Sequence, residues 1–446
     1  MRAKSGGVSA AIKRICTVSI LAVLLAVLIF VGCSGINGNG SEAPAEDSPS
    51  ADTEEGTGAL EQNPTQPAQE AVVITPSPDT RETQTDTEED QPSEETYILS
   101  FAGDCTLGTE YASYGTAGSF VQMVGDDYSY PFESALPYFA DDDFTMVNLE
   151  CALTQYNVPK EKTYRFRGPP EYAKILTAGN VECVSLANNH SGDYGQQGLF
   201  DTCAALESEG VLYASDGGSC IYETERGLKI GVCAYFSNIA SMKKDIQDVR
   251  DKGADIIVVS LHFGDEGSYS PNTWQKTCAH NAIDYGADIV FGHHPHVLEK
   301  IEKYGDGVIY YSLGNFSFGG NRNPDDKDTA IIRQYVTVAE DGTVTLGETA
   351  AIPFCLSSSV SVNTYKPTPY EEGSSQYTRV LSKLDGTYVP PYKPPVETDN
   401  SGSGDAAQDT QGEDAQGAMS GETQGAQETT DTQEIAQASD ALSQVE

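Results

Sequence analysis

Short apolar runs that alternate with helical segments constrain the fold of this 446-residue chain more than any other feature. Runs typical of strands lie at 97–102, 144–150, 181–187, 228–236, 255–261, 287–291 and 308–313, and helical spacing appears at 131–139, 169–176, 198–206, 242–250 and 272–285. Two further strands, 330–338 and 343–354, flank Asp341-Gly342, which is typical of a hairpin turn. The alternation predicts one α/β domain over residues 97–395.

Both flanks of this domain are acidic and poor in large apolar residues. Residues 34–96 carry 16 acidic residues and one basic residue, and residues 397–446 carry 12 acidic residues and no basic one. Such segments cannot bury enough apolar surface to offset the entropy of ordering. We therefore predict disordered acidic segments at 34–96 and 396–446. The net charge of −41, without a basic patch, argues against nucleic acid as a partner.

The first 33 residues have the layout of a secretory signal peptide. Four basic residues precede an apolar run over 15–31, and Gly32-Cys33-Ser34 follows. This resembles a bacterial lipoprotein signal, which implies lipidation of Cys33. An uncleaved transmembrane anchor is the alternative, because about 17 to 19 apolar residues can just span a bilayer. Either arrangement predicts a body held at the extracytoplasmic face of the cell membrane.

Residues with metal-ligand chemistry follow the predicted strands. Six strand ends carry them, and they are Asp104, Glu150, Asn189 with His190, His262, His294 with His296, and Asn315. Open α/β sheets place their sites at the carboxyl ends of strands. A mixed set of carboxylate, amide and imidazole donors suits Mn²⁺, Fe or Zn²⁺ better than Ca²⁺. The sequence therefore predicts a site for one or two divalent transition-metal ions.

Each of these residues alone has an ordinary structural explanation. His262 at a strand end is consistent with a hydrogen-bonded structural histidine, and Asn189 with a turn or a helix cap. Asn315 is equally consistent with a tight turn. His280 lies within a predicted helix and is interpreted as structural. The arrangement of the other five histidines after strands is what favours a site.

Six motifs in series resemble the CapA family of bacterial capsule and poly-γ-glutamate biosynthesis proteins. They are Phe101-Ala-Gly-Asp104, Asn148-Leu-Glu150, Ala187-Asn-Asn-His190, Leu261-His262, Gly292-His-His-Pro-His-Val297 and Ser312-Leu-Gly-Asn-Phe316. That family is similar in fold to calcineurin-like metallophosphoesterases. The resemblance implies a four-layer α-β-β-α sandwich, with two β-sheets between layers of helices.

The resemblance also implies a role for each site residue. The phosphoesterase ligand series is D-x-H, G-D, G-N-H, H and G-H-x-H. The implied metal ligands are Asp104, Glu150, Asn189, His262, His294 and His296, the implied catalytic residue is His190, and possible supporting residues are Asn148, Asn315 and His293. Two positions depart from the series. Thr106 stands where a histidine is usual, and Glu150 stands where an aspartate is usual.

The function implied is that of an envelope-anchored protein that supports synthesis, export or attachment of a capsule polymer such as poly-γ-glutamate. Its implied partners are the polymer and membrane components of the polymer synthase. Two alternatives stay open: a metal-dependent phosphoesterase acting on envelope or nucleotide phosphodiesters, and a non-catalytic accessory protein that binds polymer or synthase. A basic cluster, Lys160, Lys162, Arg165 and Arg167, is either an anion-binding site or a solvated loop.

Overall fold

The computed structural model describes residues 74–76 and 94–391 of the chain. The predicted signal segment with Cys33 and the predicted acidic tail lie outside the described residues, as does most of the predicted linker. Within that linker, Ile74–Pro76 form a short strand. No helix of the described ranges combines the length and the apolar character that crossing a membrane requires.

The described residues form the following strands and helices. The strands are β1 Ile74–Pro76, β2 Glu95–Thr106, β3 Thr109–Glu110, β4 Phe144–Leu149, β5 Ala152–Leu153, β6 Phe166–Gly168, β7 Cys183–Ser185, β8 Leu212–Ala214, β9 Gly218–Glu223, β10 Lys229–Tyr235, β11 Ile256–His262, β12 Ile289–His293, β13 Ile301–Tyr304, β14 Gly307–Tyr310, β15 Asn315–Phe318, β16 Asp328–Val338, β17 Val344–Cys355 and β18 Thr368–Pro369. The α-helices are α1 Phe120–Val124, α2 Leu136–Phe139, α3 Ala173–Ala178, α4 Gly195–Glu209, α5 Met242–Asp251, α6 Thr273–Asp284 and α7 Ser375–Leu384.

The first sheet has nine strands. Its order is β1-β17-β16-β2-β4-β7-β8, with β15 also paired to β2 and β18 to β17. Strands β2, β4, β7 and β8 run parallel to one another, so their carboxyl ends meet at one edge. The predicted hairpin is present as the antiparallel pair β16 and β17, and Gly342 in its turn has a φ of 82°.

The second sheet has six strands in the order β13-β14-β12-β11-β10-β9. Strands β10, β11, β12 and β14 are parallel. Every position of β11 is buried, because both faces of this sheet are covered. Full burial explains why residues 256–261 read as an almost continuous apolar run rather than an alternating one.

Three buried clusters place the two sheets between two layers of helices. One cluster joins the first sheet to α1 through α4, and another joins the second sheet to α5 and α6. The third lies between the sheets, where the rings of Phe101 and Phe291 are 5.1 Å apart. The order helix, sheet, sheet, helix confirms the predicted four-layer α-β-β-α sandwich.

Several short elements were not predicted. Strands β3, β6 and β5 form a third sheet beside the site, and α7 lies at 375–384, where no helix was predicted. Strands of two or three residues are too short to show a periodic pattern. Helix α7 buries Val380 and Leu384 in the cluster between the sheets, so it closes that core at one side.

Candidate metal centre

The predicted site residues lie at the carboxyl ends of strands from both main sheets. Asp104 belongs to β2, Glu150 directly follows β4, and Asn189 follows β7 of the first sheet. In the second sheet, His262 ends β11 and pairs in register with His293, which ends β12. Polar side chains from two separate sheets therefore face one another at the same edge of the sandwich.

Glycines precede two of these residues because the backbone is crowded there. A Cβ atom on Gly103 would lie 2.0 Å from the carbonyl oxygen of Gly314, and one on Gly292 would lie 2.1 Å from that of Tyr311. Contacts so short exclude any side chain at positions 103 and 292. The amide of Asp104 donates to the Gly314 carbonyl at 2.8 Å, which fixes the approach of the first carboxylate.

Asn148 links the two buried carboxylates. Its Nδ2 donates to Asp104 Oδ1 at 2.9 Å and lies 3.4 Å from Glu150 Oε2. Its Oδ1 accepts a hydrogen bond from Asn188 Nδ2 at 2.9 Å. Asp104, Asn148 and Glu150 are all fully buried. Asn148 thus contacts both carboxylates, which is consistent with the supporting role predicted for it.

His296 reaches both carboxylates from the second sheet. Its Nδ1 lies 3.2 Å from Asp104 Oδ2 and its Nε2 lies 3.9 Å from Glu150 Oε1. The Nδ1 atom is also 2.9 Å from Asn315 Oδ1, and Asn315 Nδ2 donates to the His296 carbonyl at 3.2 Å. Asn315 therefore orients the His296 ring. This role goes beyond the tight turn that the sequence also allowed for Asn315.

The loop that carries these histidines has an uncommon backbone. His294 has a φ of 98° and His296 a φ of 56°. Left-handed conformations of residues other than glycine cost of order 1–3 kcal/mol each and persist where surrounding contacts hold them. One such contact is the amide of His294, which lies 3.4 Å from Asp104 Oδ2. The strained loop thus carries the His296 imidazole that reaches both carboxylates.

His262 and Asn189 form the other side of the centre. His262 Nε2 is 2.9 Å from Asn189 Oδ1 and 3.6 Å from Glu150 Oε1. The rings of His262 and His294 have centroids 4.8 Å apart. Glu150 is thus within about 4 Å of histidines on both sides, as a carboxylate shared between two ligand groups would be.

Several buried polar atoms of this cluster have no hydrogen-bond partner. Among the described residues, these atoms are Glu150 Oε1, His262 Nδ1, both ring nitrogens of His293, and His294 Nδ1. His293 Nδ1 lies 3.2 Å from Asp104 Oδ1 without hydrogen-bond geometry. Buried polar atoms rarely stay unpaired, and a role as ion ligands is one accepted explanation.

The donor set fits a divalent transition-metal ion. Ligand atoms of Asp104, Glu150 and His296 lie within 4.8 Å of one another, and so do those of Glu266, His294 and His296. Carboxylate oxygens combined with imidazole nitrogens are typical of Mn, Fe and Zn sites.

The pKa values of the two carboxyl groups shift in opposite directions. Burial raises the pKa of Glu150 well above its ordinary value of 4.5, and the charge of Asp104 adds to this effect. Burial also acts to raise the pKa of Asp104, but the His293 and His296 rings outweigh it and hold that pKa well below 3.8. Without a cation, Asp104 carries the charge and Glu150 favours its protonated form.

The pKa values of the histidines also shift in opposite directions. Burial lowers the pKa of His262 well below 6.5 and that of His294 to about 4, and neighbouring histidines add to both effects. Burial acts to lower the pKa of His296 as well, but Glu150 and Asp104 raise it to about 10. At neutral pH, His262 and His294 therefore offer free lone pairs, whereas His296 must release a proton to act as a ligand.

His190 is paired with an aspartate that the sequence analysis missed. His190 Nδ1 lies 2.8 Å from Asp193 Oδ2, and the same carboxylate accepts hydrogen bonds from Lys162 Nζ at 2.9 Å and the Phe166 amide at 2.7 Å. Burial lowers the pKa of His190, and Asp193 opposes that shift. Asp193 holds Nδ1, so Nε2 is the ring nitrogen that can serve a reacting group. The only available signal was an acidic residue three positions after His190.

Thr106 lies where a histidine ligand was expected. Its side chain is fully buried, and its hydroxyl lies 3.3 Å from the carbonyl oxygen of Glu150. Thr106 thus supports the backbone that presents Glu150 and supplies no imidazole. The departure noted in the sequence is therefore a real difference in the donor set.

Three side chains of the basic cluster make contacts within the fold. Lys162 binds Asp193, and Arg165 lies 3.3 Å from Glu110 Oε1. The Arg167 guanidinium stacks over Tyr114, 4.1 Å from the ring centroid. These contacts favour a positioning role for the cluster over an open anion-binding site.

His280, interpreted as structural, pairs with Glu302 at 3.0 Å and stacks on Tyr304 away from the centre.

A family profile matches the part of the chain that contains the site. The family described as bacterial capsule synthesis protein PGA_cap matches residues 98–320, which are 223 of the 446 residues. The matched stretch includes every predicted ligand from Asp104 to His296.

Two Bacillus capsule proteins are similar in sequence. The capsule biosynthesis protein CapA of Bacillus anthracis is 28% identical over 285 residues, which are 56% of this chain and 66% of that protein. The PGA biosynthesis protein CapA of Bacillus subtilis strain 168 is 30% identical over 321 residues, which are 66% of this chain and 78% of that protein. The match thus spans about two thirds of the first relative and more of the second.

A solved structure with a distant likeness is the NAD nucleotidase NadN of Haemophilus influenzae. The likeness covers 66% of this chain and 63% of that chain, with 12% identity and a TM-score of 0.36.

Proposed function

The chain belongs to the bacterial capsule synthesis protein family PGA_cap, and from that premise we propose that it supports the synthesis, export or attachment of an anionic extracellular polymer through a divalent metal centre. Poly-γ-glutamate or a related capsule polymer is the proposed product. Membrane components of the polymer synthase are the proposed partners.

One observation carries this proposal: residues that follow strands of both sheets bring unpaired metal-type donors into one buried cluster. Glu150 Oε1, His262 Nδ1 and His294 Nδ1 have no partner within the described part of the chain. In a purely structural cluster, neighbouring donors and acceptors usually satisfy most buried polar atoms. A binding role explains why they stay unpaired.

The charge of the protein supports a metal as the receptor for an anionic polymer. The chain has a net charge of −41, and Lys162 and Arg165 of the basic cluster are paired with internal carboxylates. A polyanion approaching such a surface is repelled. A divalent cation at the carboxyl ends of the strands would supply the missing positive charge.

The residues of the chain would divide the chemistry as follows. Asp104, Glu150, Asn189, His262, His294 and His296 would hold one or two ions, and the family resemblance implies the same set. A bound ion would supply Lewis acidity toward a carboxylate, amide or phosphoester oxygen of the substrate. His190 has a lowered pKa, so at neutral pH its Nε2 accepts a proton, while Asp193 keeps the proton on Nδ1 and fixes the ring.

Polymer production in cells tests this function. In cells that carry His294→Ala, we expect the amount of surface polymer to fall by about 10-fold or more. Loss of a residue that only supports a metal ligand already weakens metal binding by about 10- to 100-fold, and loss of a ligand itself should cost at least as much. Cells that carry His280→Ala are the matched control and are expected to make normal amounts. Normal polymer with His294→Ala, at equal protein level, would favour the non-catalytic accessory role.

A second candidate function is hydrolysis of phosphodiesters, and the His190–Asp193 pair favours it. The pair holds an imidazole in one tautomer beside the proposed ions, as a general acid or base requires. The test is Mn²⁺-dependent hydrolysis of bis(p-nitrophenyl) phosphate by the full-length protein. Asp193→Asn is expected to lower kcat by about 10²- to 10⁴-fold without loss of metal. Equal rates for this variant and the wild type would count against the candidate.

The proposed location is the extracytoplasmic face of the cell membrane. The basic, apolar and Gly-Cys pattern of residues 1–33 supports it, with lipidated Cys33 as the anchor and a transmembrane segment as the alternative. With a lipid anchor, Cys33→Ala is expected to prevent metabolic labelling by a fatty acid. Unchanged labelling would contradict attachment at Cys33.

A further inference from the structure

Glu266 is an acidic residue outside the ligand set that the sequence predicted. It is exposed and lies in the loop between β11 and α6, four residues after His262. One of its carboxylate oxygens is within 4.8 Å of ligand nitrogens of both His294 and His296. Its distance from these nitrogens is short enough for a single ion to contact all three side chains with little movement.

The loop around Glu266 is held in this position by its neighbours. The Gly267 amide donates to the Pro295 carbonyl at 2.8 Å, so the loop is tied to the segment that bears the two histidines. Asp265 Oδ2 accepts a hydrogen bond at 2.8 Å from Asn272, the residue that caps α6. A residue tied on both sides is presented to the histidines by the fold rather than by chance.

A second observation points to a ligand at this position. His294 is only 8% exposed, yet its Nδ1 atom has no hydrogen-bond partner within the described part of the chain. Glu266, His294 and His296 form one donor group, and Asp104, Glu150 and His296 form another. The two groups share His296, so they belong to one continuous centre.

We propose that Glu266 is a ligand of the metal centre, contributed from the solvent side to a divalent transition-metal ion that His294 and His296 also contact. The proposal rests on the metal centre of the proposed function. It adds one carboxylate to a set in which Thr106 supplies no imidazole, so it restores the number of donors. Because Glu266 is exposed, it is also the donor that a carboxylate of an incoming anionic polymer would replace most readily.

Isothermal titration of the metal-free, full-length protein with Mn²⁺ tests the proposal. Glu266→Gln keeps the shape of the side chain and removes its charge, and we expect it to weaken Mn²⁺ binding by about 10-fold or more. Glu371→Gln, the same change at another exposed position, is the matched control and is expected to bind like the wild type. Thermal unfolding of the metal-free proteins checks that all three are equally folded.

Two results would overturn the proposal in distinguishable ways. Wild-type affinity in Glu266→Gln, with Mn²⁺ still bound by the wild type, would show that Glu266 is not a ligand and would leave the metal centre standing. Absence of Mn²⁺ binding by the wild type itself would remove the metal centre and the role of Glu266 together.

Discussion

Glu150 is the residue at which stability and binding are most clearly opposed. Its carboxyl group is fully buried beside Asp104, and its Oε1 atom has no partner among the described residues. Burial and the Asp104 charge raise its pKa, so an ionised Glu150 destabilises the metal-free fold. An arrangement that is unfavourable without a cation becomes favourable when a cation is present.

Glu150→Gln is therefore expected to change stability and metal binding in opposite directions. The amide keeps the shape but removes the buried charge, so the metal-free protein should unfold at a higher temperature at pH 8. Mn²⁺ affinity should fall by about 10-fold or more, because a central carboxylate donor is lost. Calorimetry of the metal-free protein and titration with Mn²⁺ measure the two effects.

Glu299→Gln is the matched control for that substitution. Glu299 is another fully buried glutamate, and burial raises its pKa to about 8, but it bonds to Gln275 rather than to the centre. Its replacement should stabilise the protein at pH 9 and leave Mn²⁺ affinity unchanged. Weakened metal binding in both variants would mean that the loss at Glu150 reflects general perturbation of the fold.

The sequence could locate the donors but not all of their partners. Asp104, Glu150, His262 and His294 were identifiable because each follows an apolar run, and strand ends converge in parallel sheets. Glu266 was not identifiable in this way, because its position depends on the path of a loop and on a backbone bond to a distant segment.

At the scale of whole elements, the opposite ends of β4 and β7 carry a second group of carboxylates, which are half-buried. Asp142 precedes β4 and accepts a hydrogen bond from Thr145 at 2.6 Å, and Glu182 precedes β7 and accepts one from the Thr145 amide at 2.7 Å. Burial raises the pKa of each to about 7. These groups bind protons more tightly in the folded state than in the unfolded state.

Stability should therefore fall as pH rises from about 4 toward 7. A pKa raised from 3.8 to about 7 favours the folded state only while the carboxyl group is protonated. Asp142→Asn should stabilise the protein at pH 8 by about 1–2 kcal/mol, since partial exposure reduces the full effect of about 4 kcal/mol. The gain should vanish near pH 4, as urea unfolding at both pH values would reveal.

Asp143→Asn at the next position should have the opposite effect. Asp143 pairs with Arg226 at 2.8 Å and accepts a hydrogen bond from the Ile98 amide at 2.9 Å. Loss of its charge should destabilise the protein by about 1 kcal/mol at pH 8. Equal effects of the two neighbouring substitutions would contradict the difference assigned to Asp142.

Lys383 and Arg379 both attach helix α7 to the first sheet by ion pairs, and Arg379 Nε lies 2.7 Å from Asp328 Oδ2. This lysine is 3% exposed, and its Nζ lies 2.5 Å from Asp326 Oδ2 and 2.8 Å from Asp328 Oδ2. The helix was missed in the sequence because a buried lysine interrupts its short apolar stripe of Val380 and Leu384. Strands such as β11 were predictable because burial on both faces gives an apolar run of full length.

Lys383→Met should destabilise the fold by about 3 kcal/mol, because it removes the buried cation that pairs with Asp326 and that shares Asp328 with Arg379. Lys244→Met is the control, since Lys244 and Asp248 form an exposed pair within α5 and should contribute little to stability. Urea unfolding of both variants at pH 7 measures the difference. A loss below about 1 kcal/mol for Lys383→Met would contradict its role in holding α7.

At the scale of the molecule, the centre is divided between the two sheets. Asp104, Glu150 and Asn189 come from the first sheet, and His262 and His296 come from the second. The four-layer order followed from the family resemblance, whereas the alternating pattern alone predicted only an α/β domain. The packing of one sheet against the other leaves no periodic signal in a single sequence.

Metal content of the full-length protein tests this shared centre most directly. The protein is equilibrated with Mn²⁺, desalted and analysed by inductively coupled plasma mass spectrometry. The wild type and His280→Ala should retain about one or two ions per chain. Asp104→Asn in the first sheet and His262→Ala in the second should each lose most of that metal. A wild type that retains no metal, or two variants that retain as much as the wild type, would contradict a metal centre built from both sheets.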